Sequence, residues 1–299
     1  MNYVERAELR VKAKELLQGS IDFHIHSGPD IFKRRMDDFE VAEAAKAAGM
    51  KAVLLKNHVD CTAGRAAIAT KYTGFPVFGG LALNHQAGGL NPEAVKVAVQ
   101  MGAKEIWMPT IHAAHYLKNV GAVPMFAAML KAGMTGISLL NDDGSLKDEV
   151  KKIIDIIAEA NVVLASGHVS KEEAFQMVTA AKAGGVKKIV ITHPTSPMEA
   201  YTIQDMKNIV AAGATMLEHV VNDITHQMKH PIEPEIIADA LKAIGPEHSL
   251  MSTDSGQVIN PAPAESMESY IYEMLKLDVP ADDIYTMTHT NPAMLLDLE

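Results

Sequence analysis

The stretch Ala47-Ala48-Gly49-Met50-Lys51-Ala52-Val53-Leu54-Leu55 contains the unit that predicts the fold: the end of an alanine-rich helix, a glycine, and an apolar strand. The glycine suits the left-handed residue that closes a helix before the chain turns. The same unit recurs at residues 101–108, 184–191 and 212–217. Continuously apolar strands that alternate with helices indicate a parallel sheet covered on both faces, as in an eight-fold barrel or a doubly wound sheet.

The number of strands favours the barrel. Eight apolar segments end near His26, His58, Asn84, Thr110, His168, His193, His219 and Asp254. Eight strands fit a (β/α)8 TIM barrel. The segment from Val4 to Gln18 predicts an extra N-terminal helix. Gly136–Leu140 runs into the turn-forming residues 141–144, which predicts a short hairpin-like insertion between strands 4 and 5. No linker interrupts the pattern, so we expect residues 1–299 to form one domain.

The composition narrows the class of partner. The chain has 299 residues and a formal net charge of −10, which disfavours nucleic acid because phosphate binding needs a basic surface. It has no apolar run of the roughly 20 residues that span a membrane and no secretory segment at its start, so we expect a cytoplasmic protein. The single cysteine, Cys61, excludes a cysteine-rich metal site. A small-molecule substrate fits best.

Two histidines one residue apart, His24 and His26, stand at the end of the first strand. Side chains alternate along a strand, so the two imidazoles should share one face, with Phe23 and Ile25 on the other. Such a pair can chelate zinc or a similar cation. A His-x-His pair alone also occurs at ordinary strand ends, so the interpretation depends on the rest of the chain.

Further ionisable residues follow other strands. His168 ends strand 5, His193 ends strand 6 and Asp254 ends strand 8. In a (β/α)8 barrel these tips meet at one face, where the active site is built. Together with His24 and His26 they predict a metal centre of four histidines and one aspartate.

This order of residues resembles the amidohydrolase superfamily of metal-dependent hydrolases. The matching pieces are the strand-one His24 and His26, then His168, His193 and Asp254, and the ending Thr288–Leu296 resembles the Asn-Pro-Ala helix that often closes these barrels. Residues 24–30 and 102–110 further resemble a poorly characterised amidohydrolase-related branch. The resemblance spans about Ile21 to Leu296 and implies the barrel fold and metal-dependent hydrolysis, but names no substrate.

The fourth strand departs from the pattern of the superfamily. Binuclear members place a carboxylated lysine or a glutamate at that tip, whereas here it contains Met108, Pro109 and Thr110. One metal ion per chain is therefore favoured. Lys56 keeps a second ion open, because it should point into the barrel mouth from strand 2. It should pair with a carboxylate, meet an anionic substrate, be carboxylated, or reach solvent at the rim.

The resemblance implies a mechanism. A divalent cation, with zinc favoured over manganese, iron or nickel, would make hydroxide available to attack a C–N or C–O bond of an amide, lactone or related compound. Asp254 would accept the proton of the water, and His193 would complete the metal shell or donate a hydrogen bond to the oxyanion. A metal-dependent decarboxylase and a phosphoesterase remain alternatives, as does a non-catalytic metabolite-binding barrel.

The remaining predictions concern the substrate and the assembly. Candidates for substrate binding, which would suit a small anionic molecule, are Lys56, His58, Arg34, Arg35, Thr110, His112 and His219. Taken alone, each of these histidines is more often an ordinary core or rim residue than a ligand. The apolar residues 125–130 could form an interface in a homo-oligomer.

Overall fold

The fold is a closed ring of parallel strands, seen in a computed structural model that describes residues 2–119 and 134–298. Eight strands form one sheet in chain order: β1 Ile21–His26, β2 Ala52–Lys56, β3 Val77–Ala82, β4 Glu105–Trp107, β5 Val163–Ala165, β6 Ile189–Thr192, β7 Met216–Val220 and β8 Ser249–Ser252. The ring closes after β8, where the N–H of His26 donates to the carbonyl of Ser255 at 2.8 Å and the N–H of Asp254 to the carbonyl of His24 at 2.8 Å. The predicted (β/α)8 barrel is confirmed.

Helices alternate with the strands. Within the described residues they are α1 Tyr3–Leu17, α2 Asp38–Ala47, α3 Ala63–Thr73, α4 Pro92–Gln100, α5 Ala114–Asn119, α6 Asp148–Ala160, α7 Lys171–Ala183, α8 Ile203–Ala212, α9 Pro234–Ile244, α10 Pro263–Lys276, α11 Ala281–Tyr285 and α12 Asn291–Leu296. The predicted extra helix is α1, which buries Ala13, Leu16 and Leu17 and packs against α10.

None of the helices in the described ranges has the length and apolar character needed to cross a membrane.

The predicted insertion between β4 and β5 is present. Leu140 and Leu146 pair in antiparallel fashion around the turn, and the N–H of Asn141 donates to the carbonyl of Ser145 at 2.8 Å. The apolar residues 125–130, predicted to form an interface, lie outside the described residues.

The apolar core has an inner and an outer part. Side chains such as Leu54, Trp107 and Leu250 cluster inside the barrel, whereas outward-facing strand residues pack against the helices. One expectation for β1 was wrong: Phe23 belongs to the inner cluster and Ile25 to an outer one. The cause is a bulge, because the register of β1 against β2 shifts between Asp22 and Ile25.

Candidate metal centre

Three of the predicted ligands converge where the barrel closes. Nε2 of His26 lies 3.0 Å from Oδ1 of Asp254, and Nε2 of His24 lies 3.3 Å from the same oxygen. Their candidate ligand atoms all lie within 4.8 Å of one another. One backbone hydrogen bond that closes the ring joins Asp254 to His24, and the other joins His26 to the next residue, Ser255. Barrel closure itself therefore brings the pair from β1 to the aspartate after β8.

A carboxylate lies behind the ring of His24 and sets its orientation. Its Nδ1 lies 3.3 Å from Oε2 of Glu218, a β7 residue that is 1% exposed. A carboxylate accepts from Nδ1–H, which leaves the lone pair on Nε2. That buried Nε2 has no hydrogen-bond partner within the described part of the chain. A carboxylate on one ring nitrogen and an unused lone pair on the other is the usual arrangement of a metal-bound histidine.

His26 has a different environment. Nη2 of Arg34 lies 3.2 Å from its Nδ1, and a guanidinium can only donate, so Nδ1 accepts and Nε2 carries the proton. This Nε2–H faces Asp254. A cation that binds His26 through Nε2 must therefore displace a proton, as metal binding generally does.

The other two predicted histidines lie on the opposite side of Asp254. Nε2 of His193 is 3.9 Å from Oδ2 of Asp254, and the rings of His193 and His168 stack with their centroids 5.1 Å apart. His168 meets a second buried carboxyl group, with its Nδ1 3.1 Å from Oε1 of Glu199. Burial raises the pKa of Glu199 to about 8. A cation bound nearby would favour the ionised carboxylate and a free Nε2 on His168.

Burial also sets the charge state of this cluster. It lowers the pKa of the His26, His168 and His193 imidazoles well below 6.5, so these rings are neutral, as metal ligands must be. Burial would raise the pKa of Asp254, but the neighbouring His24 and His26 outweigh it and hold that pKa well below its usual range. His26, His168 and His193 therefore offer neutral nitrogens, and Asp254 offers an ionised carboxylate.

Two candidate residues sit on strained backbone. His193 has a φ of 54° and Asp254 a φ of 51°, in the left-handed region that non-glycine residues seldom adopt. Each such conformation costs of order 1–3 kcal/mol and is often found at functional sites. The next turn depends on Gly256, at φ 138°, because a Cβ there would lie 1.7 Å from the carbonyl oxygen of His26.

Amide side chains hold Asp254 in place. Nδ2 of Asn222 donates to Oδ2 of Asp254 at 3.0 Å, and Nε2 of Gln257 donates to its backbone carbonyl at 2.9 Å. Both amides are oriented by the buried Asn260, whose Nδ2 donates to Oδ1 of Asn222 at 2.8 Å and to Oε1 of Gln257 at 2.9 Å. Asn260 therefore helps to position Asp254 through the side chains of Asn222 and Gln257.

A small pocket opens over this centre. His26, His168, His193 and Asp254 line it, together with Lys56 and other residues. Lys56 is 1% exposed, and its Nζ lies 5.2 Å from the centroid of the Trp107 ring. Burial lowers the pKa of Lys56, although nearby carboxyl groups, Asp254 foremost, act in the opposite direction. The ammonium has no hydrogen-bond partner among residues 2–119 and 134–298.

The predicted substrate-binding residues fall into two groups. Lys56 and His58 line the pocket. The others do not line it: Thr110 bonds to His58 and Asn84, His112 stands beside His85, His219 bonds to Thr195, Arg34 pairs with Asp30 at 2.7 Å, and Arg35 donates to the carbonyl of Asn260 at 3.0 Å.

Several residues of the site, among them the two amides that hold Asp254, were not predicted from the sequence. Glu218, Glu199, Asp223 and Asn260 are all buried beside the predicted ligands or their partners. Glu218 had a signal, a carboxylate inside the apolar strand Met216–Val220, and alternation places its neighbour His219 on the other face. Glu199, Asp223 and Asn260 lie in loops after strands, where spacing does not show which side chains turn inward.

The donor set fits a divalent cation. His24, His26 and Asp254 would hold it, His193 and His168 lie on the far side of the carboxylate, and the unused Nε2 of His24 is a buried acceptor with no other role in the described structure. Nitrogen and carboxylate donors suit zinc and also manganese, iron or nickel.

Comparison with known proteins identifies the family. Residues 19–217, more than half of the chain, match the model of a family of unknown function (DUF6282). The chain belongs to this family. No curated protein sequence matches the chain.

Solved structures share the fold. An amidohydrolase from Pseudomonas aeruginosa is 13% identical with a TM-score of 0.61, over 95% of this chain and 98% of that one. The probable dipeptidase PvdM from the same organism is 10% identical with a TM-score of 0.61, over 97% and 98%. N-acetyl-D-glucosamine-6-phosphate deacetylase from Mycobacterium smegmatis is 15% identical with a TM-score of 0.55, over 94% and 76%. The predicted resemblance to the amidohydrolase superfamily is confirmed at the level of the fold.

Proposed function

We propose that this protein is a metal-dependent hydrolase that cleaves a C–N or C–O bond, such as that of an amide or a lactone, in a small anionic substrate. The observation that carries the proposal is the convergence of His24, His26 and Asp254 at the carboxyl ends of β1 and β8, with the Nε2 lone pair of His24 unused. Solved structures of this fold are named as an amidohydrolase, a probable dipeptidase and a deacetylase, which supports hydrolysis as the class of reaction.

The residues of this centre would hold one divalent cation per chain, with zinc the expected ion. Such an ion acts as a Lewis acid and lowers the pKa of water. Binding of this cation would release the Nε2 proton of His26, because the Nδ1 of that ring accepts from Arg34. His24 would bind through Nε2, because its Nδ1 faces the carboxylate of Glu218.

Asp254 is the proposed proton carrier. Its carboxylate is ionised and held by Asn222, so it can accept a proton from the attacking water and later transfer it to the leaving group. His193, 3.9 Å from the other face of this carboxylate, would complete the cation shell or donate a hydrogen bond to the developing oxyanion.

The environment of Lys56 favours an anionic substrate. A buried ammonium without a hydrogen-bond acceptor in the described structure is costly, and a bound carboxylate would satisfy it. The same pocket contains the proposed proton carrier, so an anionic group held by Lys56 would place the rest of the molecule over Asp254.

The test is hydrolysis of a panel of small carboxylate-bearing amides, esters and lactones by zinc-loaded protein in ¹⁸O-labelled water. We expect one class to be cleaved with label in the product, and Asp254→Asn to lower kcat about 10²- to 10⁴-fold. Asparagine tolerates the left-handed backbone at this position, so the variant should fold. Asp205→Asn, on the surface of α8, is the matched control. Cleavage by Asp254→Asn at the wild-type rate would contradict the role of Asp254, and release of carbon dioxide without label would indicate a decarboxylase.

A further inference from the structure

We propose that the pocket recognises a zwitterionic substrate, with a carboxylate held by Lys56, an amine held by Asp223, and the scissile bond between them. The inference rests on the proposed function, because it names the substrate class of that same site. Asp223 has no part in the reaction described above.

Asp223 is a buried carboxyl group at the wall of the pocket. It lies in the turn Val221–Ile224 that follows β7, it is 3% exposed, and it lines the pocket beside Asn222. Its Oδ2 is buried and accepts no hydrogen bond from any residue that the structure describes. A buried carboxyl group without a partner is costly, so its retention at a pocket wall points to a ligand that supplies a donor.

Lys56 presents the opposite chemistry in the same pocket. Its ammonium is buried over the Trp107 ring and has no acceptor within the described ranges. Four carboxyl groups lie near it: Glu218 is engaged with His24, Asp254 with His24 and His26, and Glu199 with His168. The fourth is Glu105, and no hydrogen bond joins it to the ammonium within the described residues. The ammonium is therefore available to an anionic group of a ligand.

The two residues do not satisfy one another. No ion pair within 4.0 Å joins Lys56 to Asp223 among the described residues. One ligand with a carboxylate and an amine would satisfy both. A molecule that lacks either group would leave a buried polar group without a hydrogen-bond partner, and sites of this kind reject such analogues strongly.

The strand order places the scissile bond. Around the ring the order is β7, β8, β1 and β2, so Asp254, His24 and His26 stand between the tip that carries Asp223 and the tip that carries Lys56. A ligand that reaches from Asp223 to Lys56 must cross the candidate metal centre. The amine and the carboxylate therefore lie on opposite sides of the bond that is cleaved, as in a dipeptide-like amide.

The electrostatics of Asp223 agree with an amine ligand. Burial raises the pKa of Asp223 well above its ordinary range, and the nearby Glu199, Asp254 and Glu218 raise it further. A cationic group at this carboxyl favours its ionised form, so binding of an ammonium is coupled to loss of this proton.

The test measures binding to chelator-treated protein by isothermal titration calorimetry, so that recognition is separated from metal-dependent turnover. The probes are glycyl-alanine, glycyl-leucine and glycyl-phenylalanine, each with an analogue that lacks only the amine and one that lacks only the carboxylate. We expect at least one dipeptide to bind about 10- to 100-fold more tightly than both of its analogues. Asp223→Asn should remove only the preference for the amine, and Lys56→Met only the preference for the carboxylate.

Other outcomes would contradict either the inference or the proposed function. If no dipeptide binds more tightly than its analogues, or if both variants keep both preferences, the inference is wrong. Circular dichroism checks that each variant folds, and the two variants test the inference independently. Hydrolysis of other amides by zinc-loaded protein, without selective dipeptide binding, would leave the proposed function standing and overturn the inference. Selective binding of a dipeptide without hydrolysis of any compound would support the inference and contradict the proposed function.

Discussion

Glu218 should set the affinity of the centre for its cation. Its Oε2 lies 3.3 Å from Nδ1 of His24 and keeps the ring in the tautomer whose Nε2 lone pair faces Asp254. In Glu218→Gln the amide can accept from Nδ1–H or donate to Nδ1, and the second arrangement places a proton on Nε2. Loss of a carboxylate behind a metal-bound histidine typically costs 10- to 100-fold in metal affinity, or about 1.4–2.8 kcal/mol.

Glu105 provides the matched control. It is also a fully buried glutamate in a barrel strand, but it pairs with no imidazole in the described structure. Burial and the nearby Glu218 raise the pKa of Glu105 well above its usual range, so glutamine mimics its protonated form. The assay is the Kd for Zn²⁺ at pH 7.5, measured by competition with a chromophoric chelator. Glu218→Gln should weaken binding 10- to 100-fold and Glu105→Gln less than about twofold. Equal effects of the two substitutions would refute the reasoning.

Two further predictions concern stability. Gly256→Ala should lower the free energy of unfolding, measured in urea, by about 1–3 kcal/mol, because the new Cβ would meet the carbonyl of His26 at 1.7 Å. Gly102→Ala is the control for backbone strain alone, because Gly102 has a φ of 93° and open space around it. An equal loss of stability in Gly102→Ala would contradict the steric explanation. Burial lowers the pKa of His219 to about 3, so the unfolded chain takes up a proton below pH 6.5 that the folded chain refuses, and stability falls with falling pH. His219→Gln should lessen this loss by about 2 kcal/mol between pH 6.5 and pH 5 in urea titrations, and an unchanged acid dependence would show that His219 is not the group responsible.

The barrel could be predicted because its pattern is local. Each helix, glycine and apolar strand forms a unit that repeats, as at Ala47–Leu55, and eight such strands have few alternatives. The position of each candidate ligand followed from the same logic, since the tips of parallel strands meet at one face. The pairing between neighbouring strands could not be predicted from the sequence. The bulge in β1, which turns Phe23 inward, depends on how β1 pairs with β2.

The residues behind the candidate ligands could be predicted only in part. His219 was predicted to bind substrate, but it bonds to Thr195 on the face of β7 opposite to Glu218. Glu218 itself contacts His24. Arg34 was expected at the mouth of the pocket, but its partner Asp30 holds it in a buried ion pair behind His26. These pairings join residues far apart in the fold or hidden in loops, and neither periodicity nor spacing encodes them.

The most direct measurement of the central claim is the metal content per chain, by inductively coupled plasma mass spectrometry on protein purified without chelator. His24→Ala is the test variant and His230→Ala, an exposed histidine, its control. The account predicts about one equivalent of a divalent metal in the wild type and in His230→Ala, and its loss in His24→Ala. No metal in the wild type after reconstitution, or an undiminished content in His24→Ala, would contradict it.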